Sequence, residues 1–419
     1  MRLQETLFTN NASVVGVLLL ILAFVFYTSS KKTGGWSKFY KVVPALLMCY
    51  FIPAIFNSLN IISAENSKDI YYVSTRYLLP AALVLLTLSI DLKGIVNLGP
   101  KAVIMFLTGT IGIVIGGPLT IFIISHIEPN WVGGVGPDAV WRGMTTLAGS
   151  WIGGGANQVA MKEIHDVSDA LFSKMILVDV LVANVWMAFL LFGIGKKEQI
   201  DEFLKSDTSA IERLKHKMIS FQKKTSRNPN LTDLMVILGI GLGVTGFAHF
   251  FADFLAPYIS DNFPALTKFS LGSSFFWLIV LATTGGIILS FTKLKNYEGA
   301  GASKIGSVFI YILVASIGMK MNIFSIFDSL ELFAIGGVWM LIHVVLLFVV
   351  AKLIKAPYFF IAVGSKANIG GAASAPVVAS AFHPSLAPVG VLLAVLGYAL
   401  GTYAALICAQ LMSGVASAI

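Results

Sequence analysis

Polar side chains set into apolar runs name the chemistry open to this chain. The stretch GSWIGGGANQVA, residues 149–160, places Ser150, Asn157 and Gln158 around Gly153, Gly154 and Gly155. The stretch GSKANIGGAASAPVVA, residues 364–379, places Ser365, Lys366, Asn368 and Ser374 around Gly370 and Gly371. Asp179 lies deep in the apolar run ILVDVLVANVW, with Asn184 five positions on. That spacing puts the two roughly 140° apart around a helix, so they do not share a face closely. Tyr398 and Thr402, in LGYALGTYAAL, are one helical turn apart and face the second glycine-rich stretch in this reading, with a packing role as the alternative. Amides, hydroxyls, one lysine and one carboxylate suit noncovalent holding of an anion and a cation. They do not supply a nucleophile with its base, and no G-x-S-x-G, H-E-x-x-H or P-loop occurs. The expectation is a protein that is not an enzyme and carries no cofactor, apart from sodium as a coupling ion.

The elements that position these residues follow from composition. Of 419 residues, 57% are hydrophobic and 12% charged, against about 25% charged in soluble domains. Stretches of roughly 17–25 apolar residues, enough to cross a bilayer, recur along the chain. Full spans are expected near residues 13–29, 41–60, 72–90, 102–125, 171–194, 234–257, 273–291, 305–319, 331–351 and 389–412. The net charge of +8 reflects basic residues in the connections, which argues for membrane orientation and against a nucleic-acid partner. Cys49 and Cys408 sit in apolar runs and read as small core residues.

Two glycine-broken segments remain, 144–165 and 356–383. LTLSIDLKGI (86–95) parallels LVASIGMKMNI (313–323), and Ile152-Gly153-Gly154 parallels Ile369-Gly370-Gly371. Two motifs in the same order indicate a repeat. If both broken segments cross fully, the basic linker 196–230 falls outside, with 18 Lys/Arg outside and 10 inside. If both are re-entrant hairpins, 20 lie inside and 8 outside, Lys366 excepted. The positive-inside rule selects the hairpins. Each half then has five spans, an odd number, so the second half is inverted. The expected fold is an all-α polytopic membrane protein with an inverted-topology repeat of five spans plus one re-entrant hairpin per half. The termini lie outside and the linker is cytoplasmic. Paired broken helices meeting near the midplane mark a transporter's binding site. At such tips one half-helix ends in carbonyls and the next begins in free N–H groups. Pro376 suits the first turn of the outgoing half-helix.

At these residues the chain resembles the sodium/glutamate symporter and the wider bile-acid/arsenite/riboflavin transporter superfamily. Within that grouping it is similar to a bacterial family of YjcL-type integral membrane proteins. The resemblance implies an elevator-type fold in a bacterial inner membrane, often a homodimer. Its scaffold would be 1–101 plus 231–330. Its mobile core would be 102–195 plus 331–419, with hairpins 144–165 and 356–383, and 196–230 would be the cytoplasmic linker. The expected function is secondary active transport of a small polar, anionic organic solute, coupled to sodium. Asp179 keeps proton coupling open, or export on the same fold. A channel or a membrane sensor without coupled transport is the rival of another class.

Substrate contacts are expected from Ser150, Gly153, Gly154, Gly155, Asn157, Gln158, Ser365, Lys366, Asn368, Gly370, Gly371 and Ser374. Cation or coupling contacts are expected from Asp179, Asn184, Tyr398 and Thr402. The alternatives are that the polar groups only satisfy the broken backbone, and that Lys366 snorkels or neutralises Asp179. His249 and His343 read as hydrogen-bonded core residues. Asp91, Lys93 and Lys320 read as interfacial anchors. KEIHDVSD (162–169) reads as a solvated loop rather than a metal site, and a short surface helix is expected near 209–221. GLGVTG (241–246) lacks a preceding strand and reads as a helix-packing motif.

Overall fold

The computed structural model describes residues 7–40, 43, 45–59, 61, 62, 68–88, 95, 98–207, 209, 211, 228–269, 271–320, 330–383 and 386–418. The protein is an all-α, multi-pass membrane protein. Among the described residues, seven helices are long and apolar enough to cross a bilayer: α1 (Asn11–Ser29), α3 (Lys68–Leu88), α4 (Pro100–Ile127), α6 (Asp169–Ile194), α8 (Leu231–Asn262), α11 (Glu331–Ile354) and α14 (Ala387–Ala418). Helix α9 (Ser274–Ser290) reaches that length and apolarity only together with a 3-10 segment (Lys293–Ala300) bent 97° away from it. The two other expected spans are shorter apolar helices, α2 (Ala45–Ser58) and α10 (Ala302–Gly318). Pro53 sits inside α2, and Gly301 at φ +95° starts α10 abruptly. The linker carries a helix that hydropathy did not reveal, α7 (Lys197–Leu204). The expected surface helix near 209–221, together with Asp91 and Lys93, falls largely or wholly outside the described residues.

The glycine-broken segments become helix pairs that fold back. In α5 (Val140–Ile164) the helical path breaks at Gly154, where φ is +74° and ψ −174°. A straight helix would separate Arg142 from His165 by roughly 35 Å. Instead the Arg142 guanidinium donates to the His165 carbonyl, and Ser168 N donates to the Pro137 carbonyl at 3.0 Å. The second pair is α12 (Tyr358–Asn368) and α13 (Gly371–Phe382). Its ends meet where the Phe382 ring packs 5.2 Å from Phe359 and 6.0 Å from Tyr358.

The two pairs open toward opposite ends of the molecule. Helix α6 leaves the feet of the first pair at Ser168 and runs 26 residues, roughly 39 Å at helical rise, to α7. There Asp201 accepts from Tyr358 N at the foot of the second pair. Lys101 and Asp207 join this end through the Lys355 carbonyl.

Packing sorts the helices into two sets. Helices α4, α5, α6, α11, α12, α13 and α14 pack chiefly on one another, and α1, α2, α3, α8, α9 and α10 likewise. Helix α14 lies along α5 so tightly that backbones touch. A Cβ on Gly153 would sit 2.7 Å from Gly401 Cα, and one on Gly401 2.5 Å from Gly153 Cα. Only glycine permits that approach.

Candidate functional site

The two backbone breaks face one side chain. A Cβ on Gly154 would lie 3.2 Å from Cε1 of Tyr398, and a Cβ on Gly371 3.6 Å from the Tyr398 hydroxyl oxygen. The left-handed φ values at Gly154 (+74°), Gly370 (+100°) and Gly371 (+55°) are what let both turns form. Pro376 is not in the first turn of its half-helix. It is the sixth residue of α13, where a Cβ on Gly390 in α14 would lie 2.6 Å from Pro376 N.

Each tip is held by an asparagine from a matching set of partners. Asn157 Nδ2 donates to the Gly153 carbonyl one turn back (2.9 Å) and to the Tyr398 carbonyl (3.5 Å), and Oδ1 accepts from Thr402 Oγ1 (2.5 Å). Asn368 Nδ2 donates to the Gly364 carbonyl one turn back (3.1 Å) and to the Phe106 carbonyl (2.9 Å), and Oδ1 accepts from Thr110 Oγ1 (2.7 Å). In both cases a long helix offers a carbonyl and, four residues on, a threonine. Thr402 thus faces the first pair rather than the second. A one-turn spacing defines a face of α14 but not which pair that face meets.

Asp179 joins both arms of the first pair. Its Oδ1 accepts from Trp151 Nε1 (2.7 Å), and its Oδ2 from Ser150 Oγ (2.6 Å) and Gln158 Nε2 (3.2 Å). Asn184 does not join this group. It is exposed, and its amide donates to the Val180 carbonyl of its own helix at 2.6 Å. Five residues of helix turn it away from Asp179.

Lys366 is 2% exposed, and its ammonium donates to the Ala183 carbonyl at 3.3 Å, one turn along α6 from Asp179. It also borders the second tip, where a Cβ on Gly370 would lie 3.3 Å from Nζ and 2.3 Å from Ser374 Oγ. The Ser374 hydroxyl oxygen is buried and has no hydrogen-bond partner among the described residues. Lys366 Nζ, Ser374 Oγ and the first N–H groups of α13 therefore converge over a glycine with hydrogen-bonding capacity to spare. Ser365 belongs to another chain of bonds. Trp186 Nε1 donates to its Oγ (2.8 Å), which meets His343 Nε2 (2.9 Å), and His343 Nδ1 donates to the Gly109 carbonyl (3.0 Å). His249 likewise donates to the Arg76 carbonyl at 2.8 Å, within a π turn of α3. Both histidines are hydrogen-bonded.

The KEIHDVSD segment is not the solvated loop expected. Lys162 is buried and reaches Tyr71 Oη (3.0 Å), Glu163 (3.3 Å) and Asp169 (2.9 Å). Glu163 accepts from Tyr71 and pairs with Arg76 at 3.1 Å, and Lys320 pairs with Asp169 at 2.8 Å. Beyond Lys162 itself, Glu163 is neutralised from α3 and Asp169 by Lys320, two residues past α10, partners the local sequence does not announce. No group of three or more metal-ligating residues occurs among the described residues.

Trp151, Trp186 and Thr110 were not singled out from sequence. Their signal is an indole N–H or hydroxyl in an apolar helix, a donor that must find a partner when buried.

A family model described as "Protein of unknown function (DUF819)" matches residues 16–415. The chain is also similar to the uncharacterized membrane protein YjcL of Bacillus subtilis (strain 168), with 22% identity over 369 residues, 83% of this chain and 85% of that protein.

Proposed function

The chain belongs to the DUF819 family, and from that premise and its own geometry we propose that it is a secondary active transporter of a small polar, anionic organic solute. The observation that carries this reading is the convergence of two oppositely opening helix pairs on Tyr398, with a buried lysine beside one tip and a half-buried carboxylate beside the other. Irregular backbone at membrane depth is tolerated where it lines a cavity, and paired broken helices are how transporters build sites for charged solutes. The pairs act as re-entrant hairpins of an inverted repeat. The solute's anionic group binds Lys366, Ser374 and the N–H groups at Gly370 and Gly371. A sodium ion binds on the Asp179, Ser150 and Gln158 side. Asn157, Asn368, Thr402 and Thr110 hold the tips in register.

The mechanism is an elevator. The helix set containing both hairpins slides against the other set, carrying the site across the membrane, and two chains form a homodimer through the stationary set. The protein lies in a bacterial inner membrane with the linker cytoplasmic, and it has no catalytic role. A cysteine replacing Lys205 should resist impermeant thiol reagents added to intact cells; labelling there would reject the orientation.

The decisive experiment screens solutes for stabilisation of the purified protein in sodium and in potassium. Hits are then measured for uptake into proteoliposomes with and without a sodium gradient. Saturable uptake driven by the gradient is expected. Uptake driven by a proton gradient instead would move the coupling to protons, flux that follows only the solute's own gradient would mean a channel, and binding without flux a sensor.

A further inference from the structure

A polar cavity of about 300 Å³ opens where the feet of the first hairpin meet, away from the tips. Trp141, Arg142 and His165 of the feet, Gln410 and Ser413 of α14, and Thr267 of the segment before α9 line it. No carboxylate is among these residues. The Arg142 guanidinium donates to the His165 carbonyl and lies 5.3 Å from the Trp141 ring centroid, and among the described residues it has no acidic partner. His165 is 5% exposed, and its Nε2 is buried with no hydrogen-bond partner among the described residues.

Burying part of a guanidinium without a counter-charge is unfavourable, and so is leaving an imidazole nitrogen unpaired. An oxyanion answers both. It accepts a forked pair of bonds from arginine, one from imidazole N–H, and further bonds from the Gln410 amide and Ser413 hydroxyl. We infer that this cavity is a binding site for a phosphate or carboxylate oxyanion, separate from the site at the hairpin tips. Its walls come from both helix sets, since Thr267 follows α8 while the other residues belong to α5, α14 and the start of the loop after α5. An occupant therefore fastens the hairpin feet to the opposite set. The inference does not depend on transport.

The oxyanion could be a free ion or the headgroup of an anionic phospholipid, and the test separates the two. Purified, delipidated protein is melted with increasing inorganic phosphate, with chloride at matched ionic strength as control. In parallel it is melted in phosphatidylcholine nanodiscs with and without phosphatidylglycerol. The melting temperature should rise by several degrees with phosphate, phosphatidylglycerol or both, and Arg142→Gln should abolish the rise. A response to phosphatidylglycerol alone assigns the site to lipid. If Arg142→Gln fails to fold, Ser413→Leu decides, because it fills the cavity and leaves the Arg142–His165 contact intact. Stabilisation by neither anion, or equal stabilisation of wild type and a folded variant, overturns the proposal.

Discussion

Asp179 and Lys366, the two charges near the tips, differ in how their surroundings bond them, and substitution should expose the difference. Asp179 accepts from three donors on two arms of one hairpin. Asp179→Asn turns an acceptor into a donor facing other donors. Leaving buried polar groups unpaired costs about 1–3 kcal/mol, so this variant should melt at a lower temperature and also lose uptake. Lys366 makes a single hydrogen bond among the described residues, to a carbonyl at 3.3 Å, with the more distant charge of Asp179 as its electrostatic partner. Lys366→Met keeps the length and removes the charge, so it should match or exceed the wild-type melting temperature while losing solute binding. A marked loss of stability would make Lys366 a structural residue instead. These positions were legible in the sequence because a charge in an apolar run has few bland explanations. Their partners were not legible. Periodicity tells which face of a helix a residue occupies, and Trp151, Trp186, Thr110 and the hairpin met by Thr402 are facts about which face lies opposite.

At the scale of elements, the backbone breaks were readable because glycine runs disfavour helix and amides must be satisfied in a bilayer. The neighbouring helix sets what each glycine does, and the sequence is silent on that. Gly153 meets the backbone of Gly401, Gly154 holds φ at +74°, and Gly155 has nothing nearer than Ile310 Cγ2 at 4.0 Å. Three adjacent alanine substitutions should therefore rank differently. Gly153→Ala forces two helices apart and should be the most destabilising. Gly154→Ala places a Cβ at φ +74° and ψ −174°, a region essentially reserved for glycine, at a cost on the order of 1–3 kcal/mol, and crowds Tyr398. Gly155→Ala should be close to neutral. Thermal melts of the three proteins in one detergent test the order, and equal losses at all three would mean that the glycines serve chain flexibility alone. The shortness of α2 and α10 shows the same limit. Both stretches are apolar enough to read as spans, yet a left-handed Gly301 sets the start of α10 at Ala302, and α2 continues through Pro53 to Ser58.

At the scale of the molecule, the parity of the crossings depended on charges in the connections, and the structure brings those connections into two groups. Residues near 101, 201–207 and 355–358 meet at one end. Residues 137–142 and 162–169 meet Tyr71, Arg76 and Lys320 at the other. That second group joins the two helix sets, so a sliding motion must part it. Motion between the sets can be tested where they touch closely without ionic bonds. The tip of the first hairpin meets α10 at Gly155 and Ile310, and neither position holds a polar bond that the test would break. A protein carrying Gly155→Cys and Ile310→Cys should therefore fold, and a short bifunctional thiol reagent should bridge the pair. Bridging fixes the hairpin to the other set. If transport proceeds by sliding, uptake should stop on bridging and return when a reducible linker is cleaved, while each single variant treated alike stays active. The anion cavity predicts a weaker effect in the same direction, because its occupant also spans both sets but is free to leave. Full uptake by the bridged protein would mean that the hairpin tip stays against α10 throughout the cycle, and the solute would then have to pass between fixed helices.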